Sequence, residues 1–276
     1  MNNGFEVDRK GRVARIILNR PEKKNALLPA FWRDFPAAVQ EISDSGSHRV
    51  LIISARGDDF CAGMDLSVFR ANSKLSTGTP RDREHLFHLI KSLQNSLTIL
   101  EETRIPVIAS ISGYCLGAGL DLVSACDLRY ATKNSVFRIE ETNIGIMADL
   151  GSLQRLPKLI PLAVSKEMAF RGNSLSAERA YEIGLINQLF DSIDDLEKGV
   201  LEIAEEIADK PPLVISASKQ SLNYAQDHPV KDALNQAALT QSIIFSLEEI
   251  HGYLASKKGQ GEAPGDLEKQ SRTLDN

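Results

Sequence analysis

One stretch shows the architecture of the chain most clearly: Pro106-Val-Ile-Ala-Ser-Ile-Ser-Gly-Tyr-Cys-Leu-Gly-Ala-Gly119. Its first half, residues 106–112, is a short run rich in apolar and β-branched side chains, which predicts a buried strand. Its second half carries three glycines, and small residues directly after a strand let the backbone come close to a ligand. The stretch therefore predicts a strand, a candidate ligand-binding turn and a helix beginning near Gly119. A tight turn without a ligand is the alternative.

Similar apolar runs predict further strands at residues 13–19, 50–55 and 127–131, and a shorter one near 185–190. Apolar side chains at helical spacing predict helices at 29–43 and 82–101. Ser176 is placed as the N-cap of a helix that stops at Gly184. From about Leu162 the chain is mostly helical, and three longer helices are predicted, at 193–209, 211–226 and 230–255. The alternation predicts an α/β fold followed by a helical C-terminal part.

Composition limits the function classes. The chain has 276 residues, 42% hydrophobic side chains and a formal net charge of -5. This is a globular composition, and the acidic balance disfavours nucleic-acid binding, which needs a basic face. The apolar runs are far below the roughly 20 residues of a membrane span. No targeting signal is visible, so a cytoplasmic protein without membrane attachment is expected.

Other features predict no metal site and two loosely ordered segments. The three cysteines lack metal-ligand spacing, and His85 and His88 lack a third ligand at a recognisable distance along the chain. Residues 73–80 are polar and contain Gly and Pro, which predicts a mobile loop. Residues 258–276 are rich in Gly, Pro and charge, which predicts a flexible tail.

Three carboxylates are candidates for proton transfer: Asp121, Glu141 and Asp149. Asp121 and Asp149 have apolar neighbours, and an apolar environment disfavours the charged form of an acid. The pKa then rises toward the range useful for moving protons near neutral pH. Helix capping or a solvated turn is the alternative role for Asp121 and Asp149.

With these residues in view, the chain resembles the crotonase, or enoyl-CoA hydratase/isomerase, superfamily from about Val13 to Phe245. Besides the opening stretch, the resemblance rests on Leu18-Asn-Arg-Pro-Glu-Lys-Lys-Asn-Ala26, Phe60-Cys-Ala-Gly-Met-Asp-Leu66, Ala125-Cys-Asp-Leu-Arg129, Leu153-Gln-Arg-Leu-Pro157 and Ala180-Tyr-Glu-Ile-Gly-Leu-Ile186. It implies a crotonase-like fold, with a core of repeated ββα units and an acyl-CoA site in residues 1–190. It also implies a helical oligomerisation region at 191–257 and assembly as a homotrimer or hexamer.

The resemblance assigns roles at the site. By position, the backbone N–H groups of Met64 and Ala118 hold the thioester oxygen, in segments that bind substrate. These segments contain Gly63, Met64, Asp65, Leu66, Ala118 and Gly119. Glu141 and Asp149 become the proton carriers, with Asp121 as a supporting acid. Which carrier takes the proton from C2 stays open.

The acids distinguish branches of the superfamily. Hydratases carry glutamates at the positions of Asp121 and Glu141 and usually lack an acid at Asp149. This chain resembles the Δ3,5-Δ2,4-dienoyl-CoA isomerases of fatty-acid β-oxidation. The predicted function is the shift of a 3,5-dienoyl-CoA to a 2,4-dienoyl-CoA, without a cofactor beyond the coenzyme A of the substrate. The alternatives are a 2-enoyl-CoA hydratase and a non-catalytic or RNA-binding homologue.

Overall fold

The computed structural model describes residues 3–69, 76–259, 265–267 and 270. Residues 73–75 of the predicted loop lie outside the described residues, and so does most of the predicted tail at 258–276. Within the described ranges, no helix is both long and apolar enough to cross a membrane.

The described residues form nine strands: β1 (Phe5–Lys10), β2 (Val13–Leu18), β3 (Val50–Ala55), β4 (Val107–Ile111), β5 (Tyr114–Leu116), β6 (Leu128–Thr132), β7 (Val136–Arg138), β8 (Leu175–Ser176) and β9 (Gln188–Phe190). Six of them form the main sheet, in the order β1-β2-β3-β4-β6-β9. Only β1 and β2 pair antiparallel there, and the other neighbours are parallel. β5, β7 and β8 form a small second sheet.

The helices of the described residues are α1 (Pro29–Asp44), α2 (Pro80–Glu102), α3 (Ala118–Ser124), α4 (Ser152–Leu159), α5 (Leu162–Arg171), α6 (Ala177–Glu182), α7 (Ile193–Ala208), α8 (Pro212–Ala225), α9 (Val230–Ile244) and α10 (Leu247–Lys257). Helices α1 and α2 pack against each other, and α7 contacts β2, β3, β4, β6 and β9.

The central strand β3 is buried on both faces, which explains its nearly continuous apolar sequence. Leu51 and Ile53 belong to a large core cluster that also contains apolar side chains of α1 and α3. Val50 and Ile52 belong to a second cluster, together with Val200 and other side chains of α7. The sheet is therefore covered by helices on each side, and its strand ends remain free to position loops.

The predicted α/β architecture with a helical C-terminal part is confirmed. The predicted strands appear in the main sheet, with ends no more than three residues from those expected. Ser176 caps α6 by accepting the N–H of Arg179 at 3.2 Å. Strand β1 was not predicted, since its apolar and polar side chains alternate only weakly. The small second sheet was not predicted, since its strands span only two or three residues.

The prediction of a single helix at 230–255 is wrong. The chain leaves the helical conformation at Phe245, and the hydroxyl of Ser246 then accepts the N–H of Glu249 at 3.2 Å, which begins α10. A serine in this position caps a new helix rather than continuing the old one.

Part of the C-terminal stretch contacts the core. The Arg49 guanidinium donates to Asp266 and, at 2.8 Å, to the carbonyl of Ala208. Leu267 is buried nearby. These residues lie at the amino end of β3, whereas the site described next lies in loops that follow the carboxyl ends of the strands.

Candidate active site

The loop after β3 presents the backbone of Met64 in a fixed orientation. Leu27 donates its N–H to the carbonyl of Gly63 at 2.8 Å and accepts the N–H of Asp65 at 3.0 Å. Met64 stands opposite Leu27 in this parallel bridge, so its own N–H points away from Leu27. Among the described residues, that N–H donates to no acceptor.

The turn after β5 presents a second free N–H group. Gly117 has a φ of +51°, a conformation that favours glycine, and it precedes the first residue of α3, Ala118. The first N–H groups of a helix have no partner within it. No acceptor for the Ala118 N–H is found in the part of the chain that the structure describes.

The two segments touch each other. A Cβ placed on Gly63 would lie 3.1 Å from the carbonyl oxygen of Leu116 and 3.6 Å from the nitrogen of Ala118. A Cβ on Gly119 would overlap Cys61, whose carbonyl accepts the N–H of Leu116 at 2.9 Å. The absence of side chains at these glycines therefore allows the two N–H groups to approach one site.

Asp65 and Leu66 lie beyond the Met64 N–H. The carboxylate of Asp65 pairs with Arg20 at 3.1 Å and accepts the N–H of Ser67 at 3.0 Å. The hydrogen bonds from Ser67, followed by those from Arg20, hold its pKa below the ordinary value. Asp65 is thus an ionised anchor of the loop, whereas the Leu66 side chain is exposed.

Asp121 is completely buried on α3. Its Oδ1 accepts two hydrogen bonds from Ser152, one from the backbone N–H at 2.6 Å and one from the hydroxyl at 2.5 Å. Its Oδ2 is buried without a partner among the described residues. Burial raises the pKa of Asp121 to about 6, against the opposing effect of the Ser152 hydrogen bonds.

Glu141 begins a short 3-10 turn, Glu141–Ile144, and its carboxyl group lies against the Ala118 turn. Oε1 would be 3.0 Å from a Cβ on Gly117, and Oε2 is buried without a described partner. Burial, followed by the charge of Asp121, raises the pKa of Glu141 to about 7. The next residue, Thr142, fixes the turn by donating its hydroxyl to the carbonyl of Ala169 at 2.7 Å.

Asp149 lies in the segment that leads into α4. Its backbone carbonyl accepts the amide of Gln94 on α2 at 2.7 Å, while its half-buried side chain has a pKa raised by burial. The charge of Asp149 also raises the pKa values of Asp121 and Glu141. The three sequence-predicted acids therefore form one electrostatic cluster, and its member Glu141 lies beside the turn that carries the Ala118 N–H.

Such a cluster is suited to proton transfer. Neighbouring carboxyl groups in a buried site resist simultaneous ionisation, so the group retains a proton near neutral pH. Acids whose pKa values lie near the working pH can both accept and donate. Within the described ranges, no three metal-ligating side chains form a metal site.

Several residues that build the site were not predicted from the sequence. Asn25 is buried and has a φ of +55°, and its amide donates to the carbonyls of Arg56 at 2.9 Å and Asp59 at 2.7 Å. The tolerance of asparagine for this conformation is a weak signal that the sequence did carry. Gln94 and Ser152 gave no signal, because each acts on a partner distant along the chain.

Comparison with known proteins identifies the family of the chain. The sequence model of the enoyl-CoA hydratase/isomerase family matches residues 8–260. The chain belongs to the enoyl-CoA hydratase/isomerase family. It is an enzyme of this family, since similar proteins are named dienoyl-CoA isomerases and an enoyl-CoA hydratase.

Similar curated proteins carry the name of the isomerase branch. The peroxisomal Δ(3,5)-Δ(2,4)-dienoyl-CoA isomerase of Arabidopsis thaliana is 37% identical over 253 residues, which are 90% of this chain and 91% of that protein. The mitochondrial enzyme of the same name from Mus musculus is 37% identical over 246 residues, 86% of this chain and 75% of that protein.

Solved structures confirm the crotonase-like fold. An enoyl-CoA hydratase from Bacillus anthracis superposes with a TM-score of 0.85 at 27% identity, covering 97% of this chain and all of that one. A hydratase of Geobacillus kaustophilus gives a TM-score of 0.83 at 26% identity, covering 95% of this chain and 97% of that one.

Proposed function

We propose that this enzyme acts on acyl-CoA thioesters and converts 3,5-dienoyl-CoA to 2,4-dienoyl-CoA. The observation that carries the proposal is the third acid. Asp149 joins Asp121 and Glu141 in one electrostatic cluster, whereas hydration of a single double bond needs only the first two positions. The names of the relatives at 37% identity support the same branch.

The proposed reaction moves one proton and two double bonds. One carboxylate takes a proton from C2, and the electron pair of that C–H bond passes into an enolate conjugated with both double bonds, whose negative charge rests on the thioester oxygen. Protonation at C6 by a second carboxyl group then leaves double bonds at C2 and C4. No water is added and nothing is oxidised. After one turnover the acid that took the C2 proton is protonated and the acid that gave the C6 proton is ionised, so a proton exchange between them, directly or through solvent, restores the starting state.

The two backbone donors supply the charge stabilisation that this enolate requires. In the proposed complex, the N–H groups of Met64 and Ala118 donate to the thioester oxygen. A donor of this kind typically contributes ~2.7–4 kcal/mol of transition-state stabilisation. Neither N–H donates elsewhere among the described residues, so no internal hydrogen bond must break first.

The acid cluster supplies groups at the correct protonation level. The pKa of Glu141 is raised to about 7 and that of Asp149 is also raised, both chiefly by burial. One carboxyl can therefore hold a proton while the other is ionised near neutral pH. The choice between Glu141 and Asp149 as the acceptor of the C2 proton is left to experiment.

The second candidate function is hydration of a 2-enoyl-CoA, with Asp121 and Glu141 activating water. It is favoured by the high structural similarity of the chain to solved enoyl-CoA hydratases. Against it stands the full burial of Asp121, whose Oδ1 already accepts two hydrogen bonds from Ser152. Asp149 has no role in this hydration reaction.

Two substrates and one variant test the proposal. Purified enzyme is incubated with 3,5-dienoyl-CoA and, separately, with 2-enoyl-CoA, and the products are separated from each other. The expected product is the conjugated 2,4-diene. Asp149→Asn should lower diene isomerisation by ~10²-fold or more, the usual effect of losing a general acid–base group, with little change in any hydration.

Asp191→Asn is a matched control, since Asp191 is exposed and, among the described residues, pairs with Lys133 at the surface. It should leave both rates unchanged. Equal losses of both activities in Asp149→Asn, or no loss in either, would favour the hydratase. A chain inactive on both substrates that retains RNA on a filter at two salt concentrations would be a binding homologue.

We also infer that the helices at 191–257 mediate self-assembly, as a trimer or hexamer. Large apolar side chains are exposed on α8, α9 and α10, among them Leu222, Leu234, Leu239, Ile243 and Leu254. Such an extended apolar surface is typical of interfaces between protein chains. Light scattering after size-exclusion chromatography should show an oligomer that Ile243→Asp dissociates. A wild-type monomer would contradict the inference.

The cellular compartment stays a prediction. The cytoplasm is the expectation from the sequence, whereas the names of the relatives include peroxisomal and mitochondrial proteins.

A further inference from the structure

Ser152 contacts one of the three acids through two hydrogen-bond donors. It donates two hydrogen bonds to the same atom, Oδ1 of Asp121, from its backbone N–H at 2.6 Å and its hydroxyl at 2.5 Å. Both residues are fully buried. Hydrogen bonds to a charged acceptor are roughly twice as strong as those between neutral groups.

The contact joins the two elements that carry the halves of the site. Asp121 stands three residues after Ala118, in the first turn of α3. Ser152 is the first residue of α4 and follows Asp149 by three positions. Asp121, on one helix, thus accepts the free N–H at the start of another helix, α4. The distance between the Ala118 N–H and Asp149 therefore depends on this contact.

The contact also sets which oxygen of Asp121 can carry a proton. Oδ1 is occupied by two donors, so a proton on Asp121 must reside on Oδ2, which has no partner among the described residues. Among the described residues, the ionisable groups that act on Asp121 or respond to it are Asp149, Glu141, Arg155 and Cys115. Arg155 is the one cation among them and favours the ionised form of Asp121.

We propose that Ser152 is a positioning residue for the isomerisation, holding the Asp149 segment against α3 and keeping Asp121 in its ionised form. This inference rests on the proposed function. It assigns to the Ser152 hydroxyl a part in catalysis without contact with substrate. A purely structural role, as the cap of α4, would affect folding and leave the protonation of the cluster unchanged.

Ser152→Ala separates the two roles, since it removes the hydroxyl and retains the backbone N–H. We expect kcat for the diene to fall by roughly 10- to 100-fold with KM within about 3-fold, because small displacements of a reacting group have effects of this size. The lower apparent pKa of the pH–rate profile should move upward, because a carboxylate that loses a donor binds its proton more tightly.

Two further variants make the result decisive. Ser152→Thr retains a hydroxyl and should keep at least about a third of the wild-type kcat. Ser165→Ala removes a buried hydroxyl on α5 that has no described partner, and it should behave as wild type. A Ser152→Ala enzyme with the kcat of Ser165→Ala would overturn the proposal, and so would a slow Ser152→Ala enzyme with an unshifted pH profile.

Failure of this inference differs from failure of the proposed function. Absence of diene isomerisation by the wild-type enzyme refutes the proposed function alone. The titration of the Asp121 carboxyl, followed by carbon-13 NMR, tests the role of Ser152 without turnover. Its midpoint should lie near 6 in the wild type and higher in Ser152→Ala. Equal midpoints would refute the role of Ser152.

Discussion

Replacing Lys219 by methionine should destabilise the protein through the loss of one buried ion pair. Lys219 lies on α8 and is almost fully buried. Its ammonium group donates to the carbonyls of Leu100 at 2.7 Å and Ile105 at 3.0 Å, and it pairs with the Asp127 carboxylate at 2.8 Å. All three ammonium protons therefore have acceptors, and together they fasten α8 to the core.

The expected loss of unfolding free energy depends on the polar groups that the substitution leaves without a partner. Methionine preserves most of the packing of the lysine stem, but the carbonyls of Leu100 and Ile105 lose their ammonium donor. Among the described residues, Asp127 would keep the N–H of Val107, at 2.7 Å, as its hydrogen-bond donor. Removing one member of a buried ion pair typically costs ~3–5 kcal/mol. Because the Asp127 side chain retains 22% exposure, the lower end of that range applies. For a chain of 276 residues, ~3 kcal/mol lowers the melting temperature by about 5 °C.

The assay is thermal or chemical unfolding of three variants at neutral pH. Lys210→Met is the matched control, since Lys210 is exposed and, in the part of the chain that the structure describes, forms a surface pair with Glu206 at 3.3 Å. It should change the unfolding free energy by less than about 0.5 kcal/mol. Lys219→Met with Asp127→Asn should be less destabilised than Lys219→Met, because no unpaired charge remains. Equal stabilities of Lys219→Met and Lys210→Met would refute the reasoning.

Three further results are expected at the site. Glu141→Gln should abolish turnover while calorimetry shows binding of a CoA ester within a few-fold of wild type, and an equal loss of binding would make Glu141 structural. Stability should fall as the pH rises through about 6 to 7, because Asp121 and Glu141 bind protons more tightly folded than unfolded. Asp121→Asn should flatten that dependence in melting curves, and an unchanged slope would contradict it. A crystal with an acyl-CoA analogue should place the thioester oxygen ~2.7–3.1 Å from the nitrogens of Met64 and Ala118, and an oxygen in solvent would exclude their role.

The main sheet could be predicted because burial on two faces leaves a direct trace in the sequence. The run from Val50 to Ala55 is apolar at nearly every position, and the structure buries it under helices on both sides. The small sheet left no such trace. Strand β8, Leu175–Ser176, is two residues long, and its pairing with β7 depends on contacts distant along the chain.

The candidate site could be predicted in part. Local sequence identified Glu141, Asp149 and Asp121 as acids near glycine or apolar residues, and the structure places them in one cluster. The partners of these acids could not be predicted. Ser152 lies 31 positions from Asp121, and Gln94 lies 55 positions from Asp149. Contacts of this range are produced by the packing of α3, α4 and α2, which no local pattern encodes.

The parallel bridge between Leu27 and Met64 has a consequence for changes in chain length. Successive residues of an extended segment direct their N–H groups to opposite sides. A shift of this pairing by one residue, with Gly63 or Asp65 opposite Leu27, would turn the Met64 N–H toward Leu27. Changes in chain length near Met64 must therefore leave Met64 opposite Leu27. Homologous enzymes that keep the reaction should preserve this pairing even where no side chain in the segment is shared.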